Sequence, residues 1–491
     1  MSHAASSFPH PVYARHVLEP AFGESRRMLF RHMIAANEAH TLMLATTGIL
    51  PGDQAVRLLD ALGTIAKEGA EVFAYVPGVE DLFFAVEGRL IELAGADAGG
   101  NLQIARSRND LAAGLIRMRI RERLDGIAGS VHALRAGLLN LAEAHTGSVM
   151  PGITHTQPAQ PTTLAHYLLG VLGPLERDTA RLFEARERVN RSPLGVAAFT
   201  TTTFPIDREL TARLLGFEGL VENGYDAVGA SDSMLEAVQA LVNMVASLSR
   251  FVSDLAIWTR SESGFLRIDD AFIQISSIMP QKRNPVVLEH IRTRIAWVYG
   301  DATTVETMVH SAAFGDTNDV EDPIYVPLDR AFDAATAVLE LLTAVLESAT
   351  FDTRRMAERA QGGYMTTTAL ADALVQEEGL PFRTAHTIVS RAVSHGGTIT
   401  AEVVNEIGSD VLGRELAVEE AFVTDALDVE RFIARRTLPG GPAPEATRAA
   451  IAAARERLDA NQGMLREGVD RLERAETERR ERASAILARD P

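Results

Sequence analysis

Apolar residues recur with a heptad spacing between positions 231 and 261. The positions concerned lie alternately four and three residues apart and are Met234, Val238, Leu241, Val245, Leu248, Val252 and Leu255. This spacing places them on one face of an α-helix, as in helices that pack against other helices. At about 1.5 Å per residue the helix would be roughly 45 Å long. Because a single helix cannot bury this face by itself, the pattern predicts a bundle of long helices, within the chain or between subunits.

Apolar patterns of similar period predict helices along most of the chain. The predicted helices cover residues 24–47, 54–69, 111–144, 231–261, 288–309, 327–348, 365–378, 381–395 and 401–407, with another ending near 189 and a last one after the turn-rich segment 438–442. Gly99 and Gly100 predict a break before the polar segment 101–110, and the prolines and glycines of segment 192–205 predict an irregular link. Together with 46% hydrophobic and only 6% aromatic residues, these patterns predict an all-α fold.

A chain of 491 residues is long enough for two or three domains. The sequence divides into an N-terminal mostly helical domain (1–112), a central long-helix bundle domain (113–364), a small C-terminal helical domain (365–465) and a charged helical tail (466–491). Since this tail is dense in both charge signs, it is expected to be a solvated helix or a frayed end.

The net charge and the absence of cysteine exclude several classes of function. A formal charge of −18 argues against a general nucleic-acid-binding protein, because neutralising phosphates requires a surplus of Lys and Arg. Without cysteine the chain has no disulfide, thiolate metal site or cysteine nucleophile. No secretion signal is predicted, because the first eight residues lack a basic region followed by an apolar run. The apolar segment 241–258 carries Arg250 and Asp254, which argues against a membrane span, so a soluble, cytoplasmic protein is predicted.

The most specific polar segment runs from Ser276 to Pro285. It contains two hydroxyls, an ammonium and an amide, and its prolines predict a loop. A serine can act as a base only when nearby N–H groups or a cation stabilise its oxyanion. Lys282 follows Ser276 by six positions and could hold a carboxylate during such a step. The alternative interpretation of this segment is a flexible polar connector.

Two other segments carry more polar character than packing requires. Segment 106–110 precedes a predicted helix, and its alternative interpretation is a helix N-terminus capped by Asn109 or Asp110. Segment 152–157 contains His155, and a single histidine is more often a hydrogen-bonded structural residue than a catalytic one. Each of these two segments therefore leaves its function open when it is considered alone.

Taken together, the three segments resemble the regions that define the fumarase/aspartase superfamily. Residues 276–285 match its signature Ser-Ser-x-Met-Pro-x-Lys-x-Asn-Pro, and the order and spacing of all three segments fit the argininosuccinate lyase family best. Supporting matches extend over most of the chain, apart from the first dozen residues and the tail beyond about 465. The resemblance implies a three-domain all-α fold whose long-helix bundle assembles into a homotetrameric helical core. It also implies active sites shared between subunits, and no metal or organic cofactor.

The resemblance assigns roles to residues in all three segments. Ser276 would be the base that removes a proton next to a substrate carboxylate, and His155 would be held by Glu289 in a carboxylate–imidazole pair. Loop N–H groups and Lys282 would stabilise the serine oxyanion, and Asn284 would help to bind a carboxylate. The residues implied to bind the rest of the substrate, chiefly its succinyl half, are Ser107, Arg108, Asn109, Thr154 and Gln157.

The implied reaction cleaves the C–N bond of an N-substituted aspartate by β-elimination and releases fumarate and an amine. In the family it serves arginine biosynthesis. The chain departs from the family pattern at the site: Ile275 replaces a Gly, Val286 an Asp, Ser231 an Arg and Leu111 a Gln. The tract that recognises the arginine end aligns with 315–323; it keeps a Glu-Asp pair but lacks the usual Tyr, Gln and Lys.

These departures favour an amine other than arginine, with a more apolar amine pocket at Val286 and Leu111. Asp316, Asn318 and Asp319 could nevertheless still bind a cation. Three alternatives remain open: a true argininosuccinate lyase, a lyase of diamine-type succinates such as ethylenediamine disuccinate, and a non-catalytic structural relative like the lens crystallins of this family. The retained Ser276, His155 and Glu289 argue against the last. The identity of the amine, the reaction direction and the role of residues 466–491 stay open from the sequence.

Overall fold

A computed structural model describes residues 8–488 of the chain. Its α-helices are α1 (Pro11–Tyr13), α2 (Glu19–Thr46), α3 (Gly52–Glu68), α4 (Leu82–Ala94), α5 (Ala96–Asn101), α6 (Arg108–Ala144), α7 (Leu164–Val189), α8 (Arg208–Leu214), α9 (Gly224–Gly229), α10 (Asp232–Trp258), α11 (Val286–Ser311), α12 (Asp322–Ser348), α13 (Thr353–Ala360), α14 (Thr367–Gln376), α15 (Phe382–His395), α16 (Ala401–Leu412), α17 (Glu420–Leu427), α18 (Val429–Ala434) and α19 (Pro444–Leu487). The strands are β1 (Val149–Thr154), β2 (Gln157–Thr163), β3 (Leu266–Arg267), β4 (Gln274–Ile275), β5 (Arg283–Asn284) and β6 (Thr350–Phe351), which pair as β1–β2, β3–β6 and β4–β5. The predicted all-α fold is confirmed. The absence of a secretion signal was predicted from the first eight residues. Residues 1–7 lie outside the part of the chain that the structure describes.

Five long helices form the central bundle: α6, α7, α10, α11 and α12, each of 26 to 37 residues. Helix α10 packs against α7 and α11, and α12 packs against both α6 and α11. All seven heptad positions of α10 are buried, which confirms the predicted apolar seam. By length and composition α10 could also cross a membrane, but its apolar face is buried in this bundle, as in the core helix of a soluble protein.

The N-terminus of α6 is closed by a capping box. Ser107 is the cap residue: its Oγ accepts a hydrogen bond from the Asn109 amide, and the Asp110 carboxylate accepts one from the Ser107 amide at 2.9 Å. The alternative interpretation of this segment as a helix N-terminus is therefore confirmed, but the cap residue is Ser107 and not Asn109 or Asp110. The second Asp110 oxygen accepts hydrogen bonds from the amides of Gly195 and Ala197, at 2.9 and 3.2 Å. This buried carboxylate thus fixes the irregular link 192–205 to the start of α6.

The predicted break at Gly99 and Gly100 was wrong, because both glycines lie inside α5. A Cβ atom at Gly99 would come within 2.7 Å of the Ile91 Cα, so this glycine allows α5 to lie directly against α4. Helix α4 was also absent from the prediction, although Asp81 caps it by accepting a hydrogen bond from the Phe84 amide. Glycine here marks a close approach between two helices, which a sequence pattern does not distinguish from a turn.

The C-terminal part contains a second, smaller core made by α14 to α17, which is separate from the bundle core. Beyond it, α19 continues for 44 residues and packs against α2, α3, α6, α7 and α8. The charged segment after 466 is thus a packed helix and not a frayed end; Arg479, for example, pairs with Glu38 at 2.9 Å. The chain has no break at residues 112 or 465, which lie inside α6 and α19. The division into domains stays a prediction.

Candidate active site

The serine segment is the loop of a short antiparallel hairpin. Strands β4 and β5 pair Gln274 with Asn284 and Ile275 with Arg283, and the Asn284 side-chain amide donates a hydrogen bond to the Gln274 carbonyl at 3.1 Å. The hairpin therefore anchors both ends of loop 276–282 just ahead of α11. Asn284 consequently has a structural role here, while its side-chain oxygen is left for another partner.

Ser276 lies at the first position of this loop and is surrounded by backbone donors. Its Oγ accepts hydrogen bonds from the amides of Met279 at 3.0 Å and Ile278 at 3.4 Å. Two N–H dipoles directed at one oxygen favour its negatively charged form. The Lys282 side chain is exposed, and within residues 8–488 no carboxylate forms an ion pair with it. The loop therefore offers a supported serine oxygen together with an uncompensated ammonium.

The His155 segment forms the tip of the β1–β2 hairpin. Thr154 pairs with Gln157, so His155 and Thr156 form a two-residue turn, with φ angles of 51° and 65°. Such turns normally contain Asn-Gly, because a side chain is strained in the left-handed region, above all a β-branched one. The four residues 154–157 are all exposed. Backbone strain that presents an exposed imidazole at the end of a hairpin is typical of a functional position.

The third segment faces a set of carboxylates. The Arg108 guanidinium pairs with Asp81 at 2.9 Å and Glu80 at 3.1 Å, and the Asn109 side-chain amide donates a hydrogen bond to Asp316. In this chain Arg108 and Asn109 therefore bind carboxylates of the protein itself. Ser107 is engaged in capping α6, as described above.

Arg108 also lines a cavity of about 150 Å³ between α2, α4, α6 and the start of α12. Leu111, which is buried, forms part of its wall together with Tyr13 and Leu115. Four carboxylates line the same space: Glu80, Asp81, Glu321 and Asp322. The cavity differs from the expected apolar pocket, because its apolar walls carry an acidic lining. Val286 is not among its lining residues; it begins α11 beside the serine loop.

The close packing of these carboxylates changes their protonation. Burial, a hydrogen bond to Asp316 and the charges of Asp316 and Asp322 raise the pKa of Glu321 to about 8. Burial also raises the pKa of Asp322, with a further contribution from the charge of Asp81. Burial and, to a smaller extent, the neighbouring carboxylates disfavour the charged form of this group, and a bound cation would favour it.

The three segments do not meet within one chain. Among the residues from 8 to 488, no hydrogen bond or ion pair joins segment 107–109, segment 154–157 and loop 276–282. Glu289 is exposed on the first turn of α11 and does not contact His155 in a hydrogen bond or ion pair of this part of the chain. Ile275, next to the base candidate, is 76% exposed, and Ser231 caps α10. The exposed polar tips thus lack the partners that a complete site requires.

Sequence analysis did not select two residues that line the acidic cavity, Tyr13 and Tyr325. Tyr325 follows Glu321 by four positions on α12, so a helical spacing from the retained Glu-Asp pair could have identified it. Tyr13 belongs to an N-terminal segment that reaches the cavity from outside the bundle, and no pattern in the sequence indicates this.

Comparison with known proteins places this geometry in context. The family described as Lyase matches residues 18–300, and the family described as Argininosuccinate lyase C-terminal matches residues 364–434. The chain is 42% identical to the argininosuccinate lyase of Methanoculleus marisnigri, with 89% of each chain covered. It is 37% identical to argininosuccinate lyase 2 of Agrobacterium fabrum, with 93% of this chain and 92% of that protein covered.

Solved structures agree with the sequence relatives. An EDDS lyase in complex with formate superposes with a TM-score of 0.86 at 28% identity, covering 97% of this chain and 96% of that one. A class II fumarase from Schistosoma mansoni shares the fold with a TM-score of 0.68 at 14% identity, covering 84% of this chain and 93% of that one. The fold and the polar loops define a lyase of the fumarase/aspartase type. Within that superfamily, the chain belongs to the argininosuccinate lyase family.

Family membership confirms the predicted class of activity. The chain is a carbon–nitrogen lyase that releases fumarate and an amine from an N-substituted aspartate. Its substrate and product are small molecules.

Proposed function

We propose that the elimination takes place in a composite site, where loop 276–282 of one protomer meets the His155 hairpin and the Arg108 segment of two others. The observation that carries this proposal is the pair of backbone N–H groups directed at the Ser276 Oγ. A serine in ordinary surroundings is far too weak a base for a carbon acid. Two fixed donors and the nearby Lys282 ammonium favour its alkoxide.

In the proposed mechanism, the Ser276 alkoxide takes a proton from the Cβ atom of the N-substituted aspartate. This carbon lies between the carbon that bears the amine and the side-chain carboxylate. The electrons of that C–H bond form the double bond of fumarate, and the electrons of the C–N bond leave with the amine. Before the C–N bond breaks, negative charge accumulates on the carboxylate next to the carbanion. Lys282 is suited to this stage, since fixed donors and cations stabilise such a charge.

His155 is the proposed source of the proton that the departing amine takes up. An imidazolium is suited to this step near neutral pH. Glu289 of another protomer would orient the ring, because a carboxylate that accepts an N–H hydrogen bond fixes the tautomer and raises the basicity of an imidazole. Thr154 and Gln157 flank the same exposed turn and are proposed to bind the succinyl carboxylates together with Ser107 and Asn284.

A homotetramer is proposed because the bundle exposes a long uncharged stripe on α11. The exposed residues of this stripe recur at helical spacing and are Thr293, Ala296, Trp297, Gly300, Thr304 and Thr307. Trp297 is 53% exposed in the single chain. Small residues around one large aromatic side chain suit close helix packing between subunits. The enzyme is proposed to act in the cytoplasm, where a chain without cysteine needs no oxidising environment.

The proposal is tested by fumarate release from N-substituted aspartates, including argininosuccinate, with the parent protein and two serine variants. Ser276→Ala is expected to lower kcat by about 10³-fold or more on every substrate that the parent cleaves, while light scattering reports an unchanged assembly. Ser277→Ala, which alters the adjacent exposed hydroxyl, is the matched control and is expected to keep activity within about tenfold. Activity of Ser276→Ala close to that of the parent would show that another group is the base.

A further inference from the structure

The acidic cavity contains more negative charge than its own residues can balance. Four carboxylates line it, and Arg108 is the one cationic side chain among its lining residues in the described part of the chain. Arg108 is already engaged by Glu80 and Asp81. Glu321 and Asp322 therefore face the cavity without a cation of their own, although the Ser25 hydroxyl donates a hydrogen bond to Asp322 at 3.3 Å. Buried carboxylates without a counter-charge favour a cationic ligand.

A second observation points independently to a ligand at this place. The Tyr325 side chain is only 2% exposed, and it lines both this cavity and the adjoining space next to Asn109 and Asp316. Its hydroxyl forms no hydrogen bond with any residue between 8 and 488. The Tyr325 Oη atom is not fully enclosed, so it can be reached from the cavity. The hydroxyl is therefore available to a polar group of a bound molecule.

The position of Pro323 shows what the ligand lacks. In the family the tract 315–323 recognises the arginine end and closes with Lys, but here Pro323 stands at that place and lines the cavity. Arginine carries an ammonium and a carboxylate at the end remote from its guanidinium. In this cavity a cation would meet several carboxylates, whereas a carboxylate would meet like charges and only Arg108, which is already paired. The cavity thus accepts the ammonium of such an end and disfavours its carboxylate.

The size of the cavity sets an upper bound on the group that enters it. A volume of about 150 Å³ is similar to that of an engineered apolar cavity that holds benzene, with about six non-hydrogen atoms. The walls formed by Leu111, Leu115 and Tyr13 suit a short alkyl chain. A chain of two to four carbons that ends in an ammonium fills this space, with the aromatic ring of Tyr13 available for a cation–π contact.

We propose that the cavity lined by Glu80, Asp81, Glu321, Asp322 and Tyr325 binds the distal ammonium of a leaving amine that carries no carboxylate, so that the enzyme acts on N-(aminoalkyl)aspartates. This inference rests on the proposed function, since it names the amine released by the same site. The two negative charges of the succinyl half are bound elsewhere, at the serine loop and the His155 hairpin. Specificity for the amine is then a property of the acidic cavity alone.

The first test compares kcat/KM for fumarate release from three substrates. N-(4-aminobutyl)aspartate carries the distal ammonium, N-pentylaspartate is its neutral isostere, and argininosuccinate carries the distal carboxylate. The aminobutyl compound is expected to exceed both others by about tenfold or more, the effect of a charge-assisted contact. The advantage should shrink with added salt. Argininosuccinate as the best substrate, or a neutral isostere that is equally good, would overturn the inference and leave the proposed elimination intact.

The second test measures binding without catalysis. Calorimetry with the Ser276→Ala variant and fumarate present compares 1,4-diaminobutane with butylamine, and the diamine is expected to bind about tenfold or more tightly. Asp322→Asn should remove most of this preference and Tyr325→Phe part of it. Asp60→Asn changes an exposed carboxylate on α3 and should leave the preference unchanged. Equal binding of both amines would refute the cavity assignment even if every substrate is cleaved. A clear preference without any fumarate release would refute the elimination instead.

Discussion

The acidic cavity and the catalytic loops are organised in opposite ways. The cavity is assembled within one chain: its carboxylates, Arg108 and the buried Tyr325 come from the beginnings of α4, α6 and α12 and the residues just before them. By contrast, loop 276–282 and the tip 154–157 are exposed and contact none of the groups with which they would react. Under the two proposals above, a single protomer recognises the amine, and the elimination takes place only after assembly. Four experiments can break or refine this comparison.

The largest effect is expected when assembly is prevented. Trp297→Glu places a charge on the exposed stripe of α11, and the cost of burying it should give species smaller than the tetramer. Fumarate release should then fall by about 10²-fold or more, while diamine binding measured by calorimetry stays within about threefold. Val72→Glu, at a 56% exposed position remote from the bundle, is the control and should preserve assembly. A smaller but fully active species would show that one chain completes its own site.

Mixing two inactive variants tests the same point without weakening the fold. His155→Asn and Ser276→Ala should each be nearly inactive as pure proteins. If a site takes its histidine and its serine from different protomers, random assembly of an equal mixture should give about a quarter of the sites with both groups native. Activity should therefore return to about a quarter of the parent value after joint refolding. If the mixture stays inactive, each site takes both His155 and Ser276 from the same protomer.

Within the cavity, the unfavourable charge of Glu321 predicts a pH-dependent stability. The pKa of this group is raised to about 8 in the folded protein, so its neutral form is favoured there. The free energy of unfolding therefore falls as the pH rises from the ordinary pKa of a glutamate, 4.5, to about 8. Glu321→Gln removes this loss, so the variant should gain on the order of 1–3 kcal/mol over the parent at pH 9 and little at pH 5. Urea unfolding at both values provides the measurement. Glu378→Gln, at an exposed site, should show no such difference.

The smallest effect concerns the strain at the hairpin tip. Thr156 has a φ of 65°, which a glycine adopts without steric cost. Thr156→Gly should therefore stabilise the protein by about 0.5–1 kcal/mol, measured as a higher urea midpoint. Ile153→Gly, in the adjacent strand β1 where no positive φ is required, should instead be destabilising. A loss of stability at Thr156→Gly would show that the side chain has contacts that outweigh the strain.

The sequence predicted the bundle because long helices repeat their apolar positions, as the buried heptad of α10 illustrates. The sequence did not predict features that depend on a single short contact between helices. Gly99 was interpreted as a break because its approach to Ile91 depends on how two helices pack. The hairpin β1–β2 was not predicted at all, since its strands contain several prolines and its turn lacks the usual Asn-Gly.

For the site, the serine loop was predictable because its chemistry lies within ten consecutive residues. The acidic cavity was not, because its lining comes from segments far apart in the chain, such as Tyr13, Arg108 and Tyr325. The apolar amine pocket was predicted from Leu111 and Val286. The retained pair Glu321-Asp322 was recognised, but its approach to Glu80 and Asp81 was not. The roles of Ser276, His155, Glu289 and the substrate-binding residues stay predictions, to be tested as described above.

The length of helix α6 sets the distance between the Arg108 segment and the strand that leads to His155. It begins at Arg108, beside the acidic cavity, and ends after 37 residues, with four residues between it and the strand that leads to His155. At about 1.5 Å per residue, α6 is roughly 55 Å long. This is more than twice the length of the β1–β2 hairpin that could fold back along it. Under the proposed function, the two ends of this helix therefore serve different reaction centres. A longer α6 would change the distance between those centres in the whole proposed assembly. The assembly therefore constrains the length of this helix.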